Sequence, residues 1–349
     1  MMDEQPILSV HSLKTYFFQD EGTVKAVDGA SFDVYQSKTL GIVGESGCGK
    51  SVTARSILRI VERPGRIVDG TILLRRQLGN GQRKELDLTK LDANGQLMRS
   101  IRGKDIGLIF QEPMTSFSAH YTIGNQIIEA IRLHLKLGAR EARQRAIDML
   151  RLVGIPKPER RIDEYSFQLS GGLRQRAMIA MALSCDPAIL IADEPTTALD
   201  VTTQAQILAL LERLQDERKM AIILITHNLG VVAEMCDDVV VMYLGRVVEK
   251  GPVDTIFHDA RHPYTRALLR SIPSIESSPR VKLPTISGSI PHPYNRPKGC
   301  PFHPRCPEAM PGLCDVEEPT LLPVADDQDV SCFLYHKPEK ADQHVVRRP

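Results

Sequence analysis

Gly44-Glu45-Ser46-Gly47-Cys48-Gly49-Lys50-Ser51 follows the apolar run Thr39-Leu40-Gly41-Ile42-Val43 and leads into a helix-compatible segment from Ser51 to Val61. The pattern G-x-x-x-x-G-K-[ST], set between a strand and a helix, predicts a phosphate-binding loop. Glycines open backbone conformations closed to other residues, so successive N–H groups can turn inward toward an anion that the helix dipole also favours. In such a loop Lys50 would reach the β/γ-phosphates and the Ser51 hydroxyl would ligate Mg²⁺. An ordinary strand-to-helix turn is the alternative, and the flanking strand and helix weigh against it. Cys48 lies beside the helix N-terminus and close to Lys50, both of which favour a reactive thiolate. A tolerated filler in the loop is the competing reading.

The chain has 349 residues, enough for a large nucleotide-binding unit with a smaller appendix. Its formal net charge is +1, so bulk electrostatics give no reason to expect nucleic-acid binding. There is no tryptophan and aromatic residues make up 5%, a poor basis for a stacking platform on single strands. The start Met1-Met2-Asp3-Glu4 lacks the basic opening of a secretory signal, and no apolar run approaches the roughly 18 to 20 residues of a membrane span. The expected location is therefore the cytoplasmic side, with membrane contact made through a partner. Seven cysteines in that compartment do not read as a disulfide framework.

Ahead of the loop, Ile7 to Phe17 and Val24 to Val34 alternate as antiparallel strands. Tyr16 and Phe17 end the first of them, where an aromatic ring either stacks on an adenine or packs in the core. Beyond the loop come a strand from Arg66 to Leu74, a polar loop from Arg75 to Leu91, and a strand from Asp105 to Phe110 that delivers Gln111. Helical spacing then runs from Thr122 to Gly154 as an insertion between strands. Leu169-Ser170-Gly171-Gly172-Leu173-Arg174-Gln175 opens another helix with free N–H groups, which is either an anion site or a plain helix cap.

Ala188 to Ala192 is a continuous apolar run, the mark of a strand buried on both faces of a parallel sheet. It ends in Asp193-Glu194, where open α/β sheets bind ligands. There Asp193 would hold Mg²⁺ and Glu194 would polarise the attacking water for in-line displacement. The next strand, Ala221 to Thr226, delivers His227 to the same edge if it runs parallel to its predecessor. Strands Asp237 to Tyr243 and Arg246 to Glu249 and a helix from Tyr264 to Ser271 complete this part.

The tail is proline-rich with weak periodicity from Pro273 onward, so packing alone is not expected to hold it. Cys300-Pro301-Phe302-His303-Pro304-Arg305-Cys306, with Cys314 and Cys332, offers four soft ligands. The spacing lacks the paired C-x-x-C of common zinc ribbons and leaves zinc and an iron–sulfur cluster equally open.

In this order, Gly44 to Ser51, Gln111, Leu169 to Gln175, Ile189 to Glu194, Ala198-Leu199-Asp200 and His227 resemble the ATP-binding subunit of ABC transporters, over about residues 6 to 270. Within that family the chain is similar to the dipeptide/oligopeptide importer branch, through Ile109-Phe110-Gln111-Glu112-Pro113-Met114-Thr115-Ser116, His262-Pro263-Tyr264-Thr265 and the cysteine-bearing tail. The resemblance implies an α/β P-loop NTPase core over residues 1–270. That core would carry an N-terminal antiparallel β subdomain and an inserted helical subdomain at about 115–185, followed by a small irregular metal-bound C-terminal domain over 271–349. It implies an ATPase that drives uptake of di- or oligopeptides or related solutes, peripheral at the cytoplasmic face of the inner membrane.

Residue roles follow from the same resemblance. ATP would lie on Gly44, Ser46, Gly47, Cys48, Gly49, Lys50, Ser51 and Val52, with Phe17 stacking on adenine and Tyr16 as the near alternative. Glu194, His227 and Gln111 would be catalytic, and Ser51, Gln111 and Asp193 would hold Mg²⁺. Ser170, Gly171, Gly172 and Gln175 would complete the opposite subunit's site, with Asp200 communicating across the interface. Cys300, Cys306, Cys314 and Cys332 would hold a [4Fe-4S] cluster, with His303 and His336 as substitutes. The implied partners are a second ATPase subunit in a heterodimer, two transmembrane permease subunits and an extracytoplasmic solute-binding protein.

Two departures stand out: Phe117-Ser118-Ala119 replaces the branch's usual Leu-Asn-Pro, and Leu173 stands where methionine is common. A soluble ABC-type ATPase acting on ribosomes or DNA is the main alternative, but such proteins carry paired ATPase units or a long coiled-coil insertion. A regulatory module without turnover is disfavoured by the intact Lys50, Asp193, Glu194 and His227.

Overall fold

The computed structural model describes residues 5–77, 83–111, 116–197, 199–271, 286 and 288–336. The Glu112-Pro113-Met114-Thr115 stretch, Ala198 and most of residues 272–287 therefore lie outside the described residues. Strands β1 (Leu8–Gln19), β2 (Gly22–Val34), β3 (Thr39–Val43), β4 (Gly65–Gln77) and β5 (Arg83–Asp87) open the chain. They are followed by β6 (Ile106–Ile109), β7 (Ile189–Asp193), β8 (Ala221–Ile225), β9 (Asp238–Tyr243), β10 (Arg246–Pro252), β11 (Leu322–Ala325) and β12 (Gln328–Val330). Two sheets result: an antiparallel one in the order β2-β1-β4-β5, and a larger one in the order β11-β12-β10-β9-β3-β8-β7-β6.

In the larger sheet β3 lies between β8 and β9, and it runs parallel to both. β7 runs parallel to β8 and to β6. Every residue of β3, β7 and β8 is buried, as the unbroken apolar runs require of parallel strands covered on both faces. One face packs on helices of the 123–183 region through Ile127, Ile131, Leu150 and Ile179. The other packs on the antiparallel sheet through Leu13, Val27 and Ile72, and on the helix after β3 through Ile57. Parallel strands leave their carboxyl ends at one edge, so Val43, Asp193 and Ile225 end side by side.

The expected helix from Ser51 is shorter in fact, Lys50–Ile57, because Arg59 turns left-handed at φ 56° and Pro64 follows. The helical run from Thr122 divides into Ile123–Leu135 and Ala139–Leu152, broken where Lys136 takes φ 55°. Thr122 caps the first by accepting from the Asn125 N–H at 3.2 Å. The loop expected over Arg75 to Leu91 contains a strand, β5, paired with β4 in the register Leu74↔Leu86. Its charged residues at an exposed edge hide the alternation.

The tail departs further from expectation. No group of three or more His, Cys, Asp or Glu among the described residues is arranged to hold a metal ion, which overturns both the [4Fe-4S] and the zinc readings of Cys300, Cys306, Cys314 and Cys332. His303 and His336 add no such group. The four thiols are free and near enough to feel one another's charge, but they do not form a ligand set. Burial pushes Cys300 up to about 12 and Cys332 up to about 11, which favours the neutral thiol in the metal-free chain.

Packing and pairing hold the tail instead. Phe302 is 1% exposed, with its ring 5.3 Å from Tyr243, 5.4 Å from Tyr264 and 5.8 Å from His262. β12 pairs antiparallel with β10, adding tail strands to the main sheet. Arg305 makes a two-pronged ion pair with Glu45, at 2.8 and 3.1 Å, with its side chain 4% exposed. Arg305→Ala is expected to loosen the tail first. Hydrogen exchange across residues 300–314 should quicken by about tenfold, ~1.4 kcal/mol, while β7 and β8 keep their protection.

Candidate active site

The loop after β3 passes close under two carbonyl groups. A Cβ at Gly44 (φ 148°) would lie 2.2 Å from the Met242 carbonyl oxygen, and one at Gly49 (φ 102°) 2.2 Å from that of Ala26. No side chain fits at either position, so the loop's path depends on glycine there. Ser46 and Gly47 form its exposed outer turn. Lys50 is buried and curls back to donate to the carbonyl oxygens of Gly44 at 2.7 Å and Glu45 at 3.0 Å. An ammonium held by two neutral carbonyls is poised to exchange them for phosphate oxygens, a stronger charge-assisted pairing. The Glu45 N–H donates to the Tyr264 hydroxyl at 2.9 Å, which anchors the loop to the His262-Pro263-Tyr264-Thr265 stretch.

Cys48 does not fit the reactive-thiolate expectation. It is 3% exposed, and burial pushes its thiol up despite the opposing charge of Lys50. Val52 packs, partly buried, against the core under the antiparallel sheet.

Across the sheet edge the Ser51 hydroxyl donates to Asp193 Oδ1 at 3.0 Å. Burial raises the Asp193 carboxyl above its usual range, with the Ser51 bond opposing. Glu194 steps off β7 with φ 48°, a left-handed conformation unusual for a non-glycine residue and common at functional sites. Its carboxylate accepts from the Thr197 hydroxyl at 2.8 Å and from Gln111 Nε2 at 3.2 Å, and His227 Nδ1 lies 3.1 Å away. Burial raises this carboxyl, but the bonds from Thr197 and His227 outweigh it and leave the group below its usual range. An ionised carboxylate with spare lone pairs can orient and deprotonate water. Gln111, Glu194 and His227, from just beyond the ends of β6, β7 and β8, thus lie together, and Thr197, not singled out from the sequence, joins them.

Ser170 caps the helix Gly171–Leu183, accepting from the Leu173 N–H at 3.4 Å. A Cβ at Gly172 would lie 2.8 Å from Thr203 Cγ2, and Thr203 in turn donates to Asp200 from its N–H at 3.0 Å and its hydroxyl at 2.7 Å. The Thr203 bonds hold the Asp200 carboxyl below its usual range. Gln175 is 2% exposed, and its Nε2 has no partner among the described residues. Ser170, Gly172 and Asp200 therefore share one neighbourhood. Among the described residues, no hydrogen bond joins Ser170, Gly171 or Gly172 to the Lys50–Glu194 group.

The two aromatic candidates separate cleanly. Phe17, partly buried, packs against Gly65, where a Cβ would meet its ring at 2.6 Å. Tyr16 points to the opposite side of β1, lining a cavity of 580 Å³ beside Gly47, and its hydroxyl donates to Asp28 Oδ1 at 2.6 Å. Nothing in the local pattern tells these neighbours apart; the position of Gly47 does.

The ABC transporter family profile matches residues 27–197, and that of the oligopeptide/dipeptide transporter C-terminal region matches residues 248–314. The chain is 48% identical to the oligopeptide transport ATP-binding protein AppD of Bacillus subtilis, over 97% of this chain and 99% of that one. It is 46% identical to the dipeptide transport ATP-binding protein DppD of Escherichia coli, over 93% and 96%. In fold it is similar to cbiO1 from Clostridium perfringens, part of the ABC transporter complex cbiONQ, with a TM-score of 0.58 and 28% identity over 73% of this chain and 92% of that one. It also resembles the dimeric ATP-binding cassette MJ0796 bound to ADP and Pi, with a TM-score of 0.60 over 70% and 98%; at 23% identity this likeness concerns the fold alone. The chain belongs to the ABC transporter family, among the ATP-binding proteins of oligopeptide and dipeptide transport.

Proposed function

We propose that this chain is the ATP-hydrolysing motor subunit of an importer for peptides or related solutes. The observation that carries the reading is the meeting of Lys50, Ser51, Asp193, Glu194, Gln111 and His227 at the carboxyl edge of one parallel sheet. The triphosphate lies in the Gly44–Ser51 cradle, where Lys50 exchanges its two carbonyl acceptors for phosphate oxygens. Glu194 accepts the proton of the attacking water, His227 and Gln111 orient that carboxylate and meet the γ-phosphate, and the phosphoryl group is displaced in line. The hydroxyl of Ser51, the carboxylate of Asp193 and the amide of Gln111 are hard oxygen donors of the kind that, with substrate phosphates and water, suit Mg²⁺. When bound there the ion would neutralise charge on the phosphates.

Ser170, Gly171, Gly172 and Gln175 serve the nucleotide of a second ATPase subunit, and Asp200 lies at the same interface. That arrangement fits a cap of free N–H groups standing apart from the chain's own Lys50 loop. The working assembly is a multi-subunit import complex: a heterodimer of ATPase subunits, two transmembrane permeases and an extracytoplasmic solute-binding protein. Among the described residues no helix is long and apolar enough to cross a membrane, consistent with a peripheral motor. Peptides are favoured as cargo because AppD and DppD carry oligopeptide and dipeptide transport in their names.

In the assembled transporter, Glu194→Gln is expected to lower phosphate release by about a thousandfold, in the range of a lost general base, with nucleotide affinity retained. Lys50→Ala should abolish both binding and turnover, and full turnover in that variant would overturn the reading. Tyr16→Ala should raise the KM for ATP. Phe17→Ala should leave KM alone and instead lower the melting temperature through the cavity left at Gly65.

A further inference from the structure

The cavity beside Gly47 has two walls of different origin. One belongs to the cassette and presents Tyr16, Ala26 and Gly47; the other is the tail, which presents His292, Tyr294 and Lys298. The His292 and Tyr294 rings stack on each other, with centroids 5.2 Å apart and planes 26° apart. The volume of 580 Å³ falls within the ~300–1,000 Å³ of small-molecule sites.

The tail wall is fastened at several points. The Tyr294 hydroxyl donates to Gln19 and, at 3.2 Å, to Glu21 on the β1–β2 turn. Arg296 Nη1 donates to Asp28 Oδ2 at 2.6 Å, and its Nη2 donates to Glu318 at 3.0 Å. Asp28 is 5% exposed and also accepts the Tyr16 hydroxyl. A single buried carboxylate therefore fixes both the ring of the cassette wall and the anchor of the tail wall. Burial opposes its charge, but the Tyr16 bond and the Arg246 and Arg296 guanidinium groups hold it below its usual range, so it stays ionised to serve both.

We propose that tail residues 292–299 complete the nucleoside end of the triphosphate site, so that base and ribose are held between Tyr16 on one side and the His292–Tyr294 pair on the other. The inference rests on the reading of the Gly44–Ser51 loop as a triphosphate cradle. A nucleobase needs flat apolar faces, and this cavity offers aromatic rings on two walls where it adjoins the phosphate loop. The Lys25 ammonium, 5.5 Å over the Tyr16 ring, is the group that a base would displace from that face. Because both walls share the binding, seating of the tail and affinity for nucleotide are reciprocally coupled.

The test measures ATP turnover by the assembled transporter carrying His292→Ala or Tyr294→Ala, with inorganic tripolyphosphate as a base-free competitor. His292→Ala removes a ring that makes no hydrogen bond to the cassette among the described residues, so it guards against simple undocking of the tail. The KM for ATP should rise about tenfold, equivalent to ~1.4 kcal/mol, as expected for one lost stacking face. The kcat at saturating ATP and the inhibition constant of tripolyphosphate should stay within twofold of wild type. An unchanged KM in both variants would overturn the inference, as would equal weakening of ATP and tripolyphosphate. A wild-type transporter indifferent to both compounds is a different result, and it would remove the triphosphate reading together with this one.

Discussion

Close approach of the 44–49 loop to neighbouring backbone sets the terms for the rest of the molecule. Gly44 lies against the Met242 carbonyl on β9, and Gly49 against the Ala26 carbonyl on β2. The loop is thereby wedged between the main sheet and the antiparallel sheet, and its N–H groups keep one orientation before any anion arrives. Preorganised donors of this kind cost no rearrangement when charge appears. Lys50, Ser51 and Asp193 then need only the parallel sheet to bring them together.

The same loop is gripped from a second direction. Glu45 accepts both prongs of Arg305 and donates its N–H to Tyr264, while Phe302 fills the space among Tyr243, Tyr264 and His262. His262 is fully buried and burial pushes it down to about 3, so its neutral Nδ1 can accept from the Tyr264 N–H at 3.0 Å. This aromatic and ionic seam does the holding that the four cysteines were expected to do.

Much of the site was legible because its residues end local patterns. Asp193, Glu194 and His227 each follow an unbroken apolar run, and the rule that ligands gather at carboxyl ends of parallel strands joins Ser51 to Asp193 across 142 residues. What stayed hidden depends on facing or distance. Tyr16 and Phe17 are neighbours with opposite faces, and only the folded sheet says which face meets Gly47. Arg305 and Glu45 are 260 residues apart with no shared motif. The cysteine spacing was visible, but the arrangement of the four side chains in space was not, and among the described residues it makes no ligand set.

β10 would be the last strand of the main sheet were it not for β12, which pairs Glu249 with Val330 and Lys250 with Asp329. A cassette shortened before Gln328 would therefore bare a row of unpaired N–H and C=O groups beside Val247 and Val248. Such an open margin recruits strands from other molecules. Besides its work at the loop, the C-terminal region is a guard against self-association, and its loss would first appear as insolubility.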